Sequence, residues 1–321
     1  MSGPSVTSQL LETIKTLNTS VWNGRVPGQR VTEWLSRFSG GPDEHLHALF
    51  LLSQMIYFGD VEIREALRSI FRDLVRYPLI ATLRRANSDT TDGTTLENLF
   101  KHELSLTRFL GMGNPSESGT HLLYFFRQEN GLAPNLFIHT HQIFSRVSTT
   151  ATTAAAPSSP QRLRRPEIRR YIFLDDLCAS GSQAVEYSRE QVAIAKALDP
   201  TLQFYYFPIV ASKVGIERVR AETAFNQVEA LFEIDESYKC FTGDSRHFAA
   251  PPAGVTQHAA RLIAESYGSL LEPTQPLGFS DGQLLLSFHH NTPDNTLPIM
   301  WSDANGWLPP FRRYPKLYWS N

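Results

Sequence analysis

The chain is expected to fold as an α/β protein. A parallel sheet flanked by helices should occupy residues 91–245, after a helical region over 1–90 and before an irregular extension over 246–321. Three observations lead there. Between about 105 and 240, short apolar runs alternate with helix-type patterns, and that alternation implies parallel strands joined by crossovers. Tyr171–Leu174 is a continuous apolar run, as a strand covered on both faces requires. Residues 1–90 carry helical periodicity instead.

Taken in order, Leu46, Leu49, Phe50, Ser53 and Ile56 suggest a first helix. Ile63, Ala66, Leu67, Ile70, Phe71 and Leu74 recur at spacings of three and four, which places one apolar stripe on a second. Pro78 and the stretch NSDTTDGTT at 87–95 then punctuate the chain. Arg108–Met112 reads as a short strand running into Gly111-Met112-Gly113. Thr120–Glu129 reads as a helix closed by Asn130-Gly131, and Leu136–His139 as another strand. Residues 146–167, RVSTTATTAAAPSSPQRLRRPE, are rich in Ser, Thr, Ala and Pro. They offer little apolar surface to bury and are expected to be mobile. Beyond Leu174, Val185, Val192, Ala195 and Leu198 can share a helix face. Phe204–Val210 and Val228–Ile234 read as strands around the helical KVGIERVRAET, with Pro208 expected at the end of the first. A helix is expected at Gln257–Tyr267, and an aromatic tail closes the chain.

Composition sets bounds on function. The length of 321 residues suits one large or two modest domains, and 41% hydrophobic residues suit a packed core. A formal net charge of −2 gives no global electrostatic case for nucleic acid or a membrane surface. Two cysteines, Cys178 and Cys240, build neither a disulfide framework nor a zinc spacing. MSGPSVTSQL is not the charged-then-apolar pattern of a secretory signal. The most apolar segment, His47–Phe58, falls short of the roughly 20 residues a span needs. A soluble, cytoplasmic protein is expected.

The chemistry concentrates in RRYIFLDDLCASGSQA, from residue 169. An apolar strand ends in Asp175 and Asp176, and ligands of open parallel sheets bind beyond the carboxyl ends of the strands. Ser180–Gln183 then bring backbone N–H groups and hydroxyls to a helix start, where an anion is favoured. At Gly181 no Cβ stands between the backbone and a phosphate. A ribose 5-phosphate satisfies both features: carboxylates accept from the 2′- and 3′-hydroxyls, and the turn holds the phosphate. A strand end followed by a Ser180 or Ser182 helix cap explains the same letters without a ligand. A receiver-type or phosphatase-type acidic site would need further acids and a lysine that cannot be assembled here.

YIFLDDLCASGSQA resembles the phosphoribosyl-pyrophosphate (PRPP) motif of type I phosphoribosyltransferases: an apolar strand, two acids, two variable residues, and a Ser/Thr-rich turn around Gly. The resemblance implies a type I phosphoribosyltransferase-like sheet and Mg2+-dependent transfer from PRPP. It implies that Asp175 and Asp176 meet the ribose hydroxyls, directly or through magnesium. Ala179, Ser180, Gly181, Ser182 and Gln183 would wrap the 5-phosphate. By order along the chain, Gly111, Met112, Gly113 and Asn114 would form the pyrophosphate loop. Residues 146–167 would be the closing loop, with Arg162, Arg164 and Arg165 capturing pyrophosphate. Two departures stand out. Ala179 and Gln183 replace the family's usual threonines, and Ala179 excludes the general-base Asp that some base-salvage members carry there. SGTHLLYFFRQEN, LDDLCASGSQ and LLLSFHHNTPDNTLPIMWSD together are similar to phosphoribosyltransferase-like proteins of bacterial conflict systems, some beside retron reverse transcriptases. That implies an antiviral effector with a reverse transcriptase or another defence protein as partner. The acceptor, a nucleotide or RNA in place of a salvage base, stays open. So does a non-catalytic ribose-phosphate sensor that regulates a partner, and so does homo-oligomerisation.

Other candidates read more plainly. Cys178 is expected to be a small buried hydrophobe. His139 and His141, on one face of a strand, lack a third metal ligand. Arg127-Gln128-Glu129-Asn130 reads as a helix end. Of the six aromatics from Trp301 to Trp319, packing over the core is expected, with base stacking or a partner surface as the alternative.

Overall fold

The computed structural model describes residues 4–113, 118–146 and 161–314. Contacts divide the chain into two compact units, 64–233 and the combination of 1–63 with 234–321. The first holds a five-stranded sheet. Four of its strands, β1 (Thr107–Gly111), β2 (Arg170–Cys178), β3 (Gln203–Ser212) and β4 (Gln227–Val228), lie side by side in that order, all parallel. A further short strand, Phe232–Ile234, also pairs with β3. Parallel neighbours need crossovers. These contain α1 (Ser118–Glu129) between β1 and β2, α2 (Ser182–Tyr187) between β2 and β3, and α3 (Lys213–Glu222) between β3 and β4.

Alternation of side chains across the strands supplies two apolar faces. On one, Phe109 of β1 packs 5.0 Å from the Phe126 ring of α1 and 6.4 Å from Phe71 of the preceding helical stretch. On the other, Tyr171, Phe173, Phe204 and Tyr206 form a core with Val185, Val192, Ile216 and Val219. Helices therefore cover the sheet on both sides.

Several expected boundaries move, each for a physical reason. Pro208 lies inside β3, not at its end. The carbonyls of Phe204, Tyr206 and Pro208 all accept bonds from the β4 side, so the absent Pro208 N–H faces that side too. The ladder with β4 stops at Tyr206, so no bond of that ladder is lost. Pro78 does not end its helix. A π-helical turn at Ile70–Arg76 leads into Tyr77–Ala86, and the altered register spares the proline ring its clash with the previous turn. A second π-turn, Ser188–Val192, follows α2 and rotates the next segment, Ala193–Leu198. Leu198 is 44% exposed, while Val185, Val192 and Ala195 are buried as expected. Leu136–His139 is not a strand. Pro134–Leu136 and Thr140–Gln142 are 3-10 turns, and only Phe137 bridges to Phe109.

The other unit joins both ends of the chain around one core. Helices Val6–Ser20, Gly28–Leu35, Pro42–Ser53 and Gln257–Leu271 contribute to it, with Trp22, Trp34, Trp307 and Phe311 among its buried rings. Ile56–Phe58 pairs in parallel with Leu286–Phe288. Thus 1–63 and 234–321 share one body, where the sequence suggested separate regions bounded near 90 and 245. Of the tail rings, Trp307 and Phe311 are core residues as expected, whereas Tyr314 is exposed. Tyr318 and Trp319 lie outside the described residues. No helix among the described residues is long and apolar enough to cross a membrane.

Candidate functional site

The sheet brings two turns to one edge. β1 and β2 are adjacent, with Gly111 opposite Leu174, and Met112 N–H still donates to Leu174 O at 2.9 Å. The chain then turns at Gly113, whose φ is +87°. Helix α1 packs down on this turn through Gly119. A Cβ there would stand 2.5 Å from the Met112 carbonyl oxygen. Asn114 lies outside the described residues. The second turn, Ala179–Gln183, leaves the carboxyl end of β2 next door. Gly111, Met112, Gly113 and the 179–183 turn are therefore placed on the same side of the sheet.

The acidic pair differs in burial. Asp175 is only 5% exposed, and Asp176 is half-buried. Tyr206 Oη donates to Asp175 Oδ2 at 2.8 Å, and the Asp176 N–H donates to Asp175 Oδ1 at 3.0 Å. Burial lifts the Asp175 carboxyl well above its ordinary range, with the Asp176 charge adding to the lift. Asp175 is thus a buried anchor at the end of β2, tied to Tyr206 and to the Asp176 peptide. Asp176 Oδ1 accepts the Leu177 N–H at 2.8 Å.

Cys178 completes the buried group. It is 3% exposed, and its thiol is pushed up to about 12, by burial first and the Asp175 charge second. A thiol held protonated in this way is no nucleophile, as the sequence suggested.

The turn is built by contact with α3. Gly181 has φ +71°, and a Cβ there would come 2.7 Å from Gly215 O and 2.9 Å from Val219 Cγ2. The missing side chain makes room for α3. Gly215 is itself closed in by the Ala179 carbonyl. Ser212 Oγ donates to Ala179 O at 2.5 Å and accepts Gly215 N–H at 2.9 Å, so one hydroxyl ties down the turn and caps α3. Ser180 Oγ donates to Ser182 Oγ at 3.0 Å. From α3, Arg218 Nη1 reaches Ser182 Oγ at 2.9 Å and Ser180 O at 3.3 Å. Sequence reasoning missed Arg218. Its only signal was a cation in the helix after the next strand.

The arginines assigned to pyrophosphate do not gather at this edge. Gln161–Leu163 pairs antiparallel with Phe144–Arg146, so these two ends of the segment expected to be mobile form a ribbon; residues 147–160 lie outside the described residues. Arg162 Nε donates to Ser145 Oγ at 3.2 Å within it. Arg164 N–H donates to Ile143 O at 2.9 Å. Arg165 lies close enough to Arg108 and Tyr171 for its charge to act on both. Those two residues face each other near the starts of β1 and β2. Three strand residues, about 10 Å, separate Arg108 from Gly111. Arg170 pairs with Glu103 at 2.6 Å, also at the strand start.

The remaining candidates take structural places. His139 and His141 stack at 5.7 Å in a 3-10 turn. Glu129 is held by Arg64 at 2.7 Å and by Arg68 at 2.5 Å, while Asn130 Nδ2 donates to Phe126 O at 2.9 Å. Among the described residues, no group of three His, Cys, Asp or Glu could hold a metal ion.

A family model described as PRTase-CE matches residues 31–313. No curated protein matches the chain in sequence. Among solved structures it is similar to the xanthine-guanine-hypoxanthine phosphoribosyltransferase of Helicobacter pylori, at 7% identity over 56% of this chain and 92% of that one, with a TM-score of 0.27. It is similar to the adenine phosphoribosyltransferase of Leishmania tarentolae, at 15% identity over 52% and 74%, with a TM-score of 0.24. The Trypanosoma brucei adenine phosphoribosyl transferase, solved with AMP, pyrophosphate and ribose-5-phosphate, gives 14% over 61% and 80%, with a TM-score of 0.24. Scores this low carry no argument by themselves.

Proposed function

The chain belongs to the PRTase-CE family, and from that premise we propose that it transfers a phosphoribosyl group from PRPP to an acceptor. One observation carries the reading. The Gly111–Gly113 turn and the 179–183 turn stand at the carboxyl ends of neighbouring parallel strands, and Asp176 lies two residues beyond the register partner of Gly111. Ligands of open parallel sheets bind at that edge.

In this reading, Asp176 accepts from the ribose hydroxyls, the 180–183 turn holds the 5-phosphate, and the 111–113 turn holds pyrophosphate. Transfer breaks the bond from the anomeric carbon to a pyrophosphate oxygen, and the electron pair leaves with pyrophosphate. An acceptor atom forms the new bond and gives up its proton to solvent. The protein contributes positioning and charge, not a covalent intermediate. Asp175 contributes by holding the Asp176 peptide through its own carboxyl.

Magnesium fits this donor set only in part. Mg2+ is commonly held by one or two carboxylates together with substrate phosphates, and Asp176 is the one carboxylate of the pair accessible for that role. When bound, the ion would neutralise charge on the departing pyrophosphate.

A second reading, a ribose-phosphate sensor that regulates a partner, is favoured by the burial of Asp175 and by Ala179 in place of a base. The antiviral role, a reverse transcriptase partner and a nucleotide or RNA acceptor rest on the sequence resemblance alone. Incubation with PRPP, Mg2+ and nucleotide, RNA or base acceptors tests the transfer. Acceptor-dependent pyrophosphate release supports it. Saturable PRPP binding without release supports the sensor.

A further inference from the structure

Arg218 occupies an unusual place for a surface cation. It projects from α3, yet its Nη1 is spent on two neutral acceptors of a different segment, Ser182 Oγ and Ser180 O. Its Nε is fixed by Glu222 Oε1 at 3.0 Å, one turn further along the same helix. Glu222 Oε2 in turn accepts from Arg189 Nη2 at 3.4 Å. Arg189 offsets the Glu222 charge, so the three residues together keep one positive charge beside the turn. The Arg218 side chain remains 39% exposed.

Resting on the donor reading above, we propose that Arg218 binds the 5-phosphate of the phosphoribosyl donor. It supplies a charged donor to a turn whose own residues, Ala179 to Gln183, are all neutral. The geometry carries this. Ser182 Oγ already accepts from Ser180 Oγ and from Arg218 Nη1, so its own O–H is the group left to donate. A phosphate oxygen taking that proton lies about 2.7 Å from Ser182 Oγ, within reach of the same Nη1. The guanidinium then exchanges neutral acceptors for an anion, and charge-assisted bonds are roughly twice as strong as neutral ones. The Glu222 contact holds the fork so that its other edge faces the turn.

Calorimetry on the full chain, with ribose 5-phosphate and with ribose at pH 7.5 and 5.5, tests the assignment. The parent should bind ribose 5-phosphate far better than ribose. Its affinity should drop toward pH 5.5, because the second ionisation of such a phosphate lies near pH 6. Arg218→Gln should bind roughly tenfold to a hundredfold more weakly at pH 7.5. Its loss at pH 5.5 should be clearly smaller, since the monoanion gives a cation less to hold. Arg218→Lys should recover part of the affinity. Parent-like binding by Arg218→Gln, or an equal loss at both pH values, overturns the assignment and leaves Arg218 as a brace of the turn. A parent that does not prefer ribose 5-phosphate to ribose overturns the donor reading itself, and the two failures are told apart by the parent alone.

Discussion

Burial raises the Asp175 carboxyl above its ordinary range, and stability then depends on pH. In the unfolded chain this carboxyl titrates near its ordinary value, about 3.9; in the folded chain it titrates well above it. Between the two, the folded state binds more protons, so its contribution is full below the unfolded value and is lost as pH rises through the folded one. Melting curves of the parent should therefore decline with rising pH more steeply than those of Asp175→Asn, and equal slopes would refute a raised Asp175 titration. Asp176→Asn should act on the ligand instead. It removes a charged acceptor and should weaken PRPP binding roughly tenfold to a hundredfold at little cost to the fold, by calorimetry in Mg2+. Gly181→Val belongs with Asp175. The valine would be strained at φ +71° and blocked by Gly215 O. A loss on the order of 1–3 kcal/mol is expected with or without PRPP. A variant that melts like the parent would contradict the packing described. The two aspartates are alike as letters; the packing of Tyr206 over one of them sets them apart.

At the scale of elements, β1 and β2 were legible because each couples an apolar run to a glycine-bearing turn, and α1 because Asn130-Gly131 closes it; Leu136–His139 is no strand, and Val228–Ile234 divides into two short ones. The two π-turns were not legible. A π-turn leaves composition unchanged and only shifts register, so Leu198 read as buried until the turn at Ser188–Val192 rotated it outward. Pro208 misled for a related reason: a proline is excluded from a strand only where its N–H would meet a partner, and partners are a tertiary matter. The joint between α3 and the 179–183 turn depends on Ser212. Ser212→Ala removes a helix cap and the bond to Ala179 O, and should destabilise by about 1–2 kcal/mol in urea melts. PRPP affinity should fall in parallel, since the turn loses its tether; unchanged affinity would show that the turn holds its shape without it.

For the whole molecule, the decisive fact is that residues 1–63 and 234–321 share a core. Trp34 is fully buried there, and its Nε1–H donates to Ile299 O at 2.9 Å across 265 positions of sequence. Trp34→Ala should destabilise that unit by about 3–5 kcal/mol. Hydrogen exchange should speed up in Val6–Ser20 and Gln257–Leu271 together. Protection lost in the first and kept in the second would mean the two ends fold apart.

The sequence by itself determined the class of fold, the strand–turn–helix carrying the acidic pair, and the family to which that stretch points. All three rest on local patterns, an apolar period and a short run of residue types, that survive without knowledge of neighbours. Tertiary structure alone decided that Asp175 is buried under Tyr206, that Gly181 yields to α3, that Arg218 reaches the turn while Arg165 stays near the strand starts, and that the chain ends close one core. Each of these depends on which residues far apart in sequence come to lie together, and no local pattern encodes that.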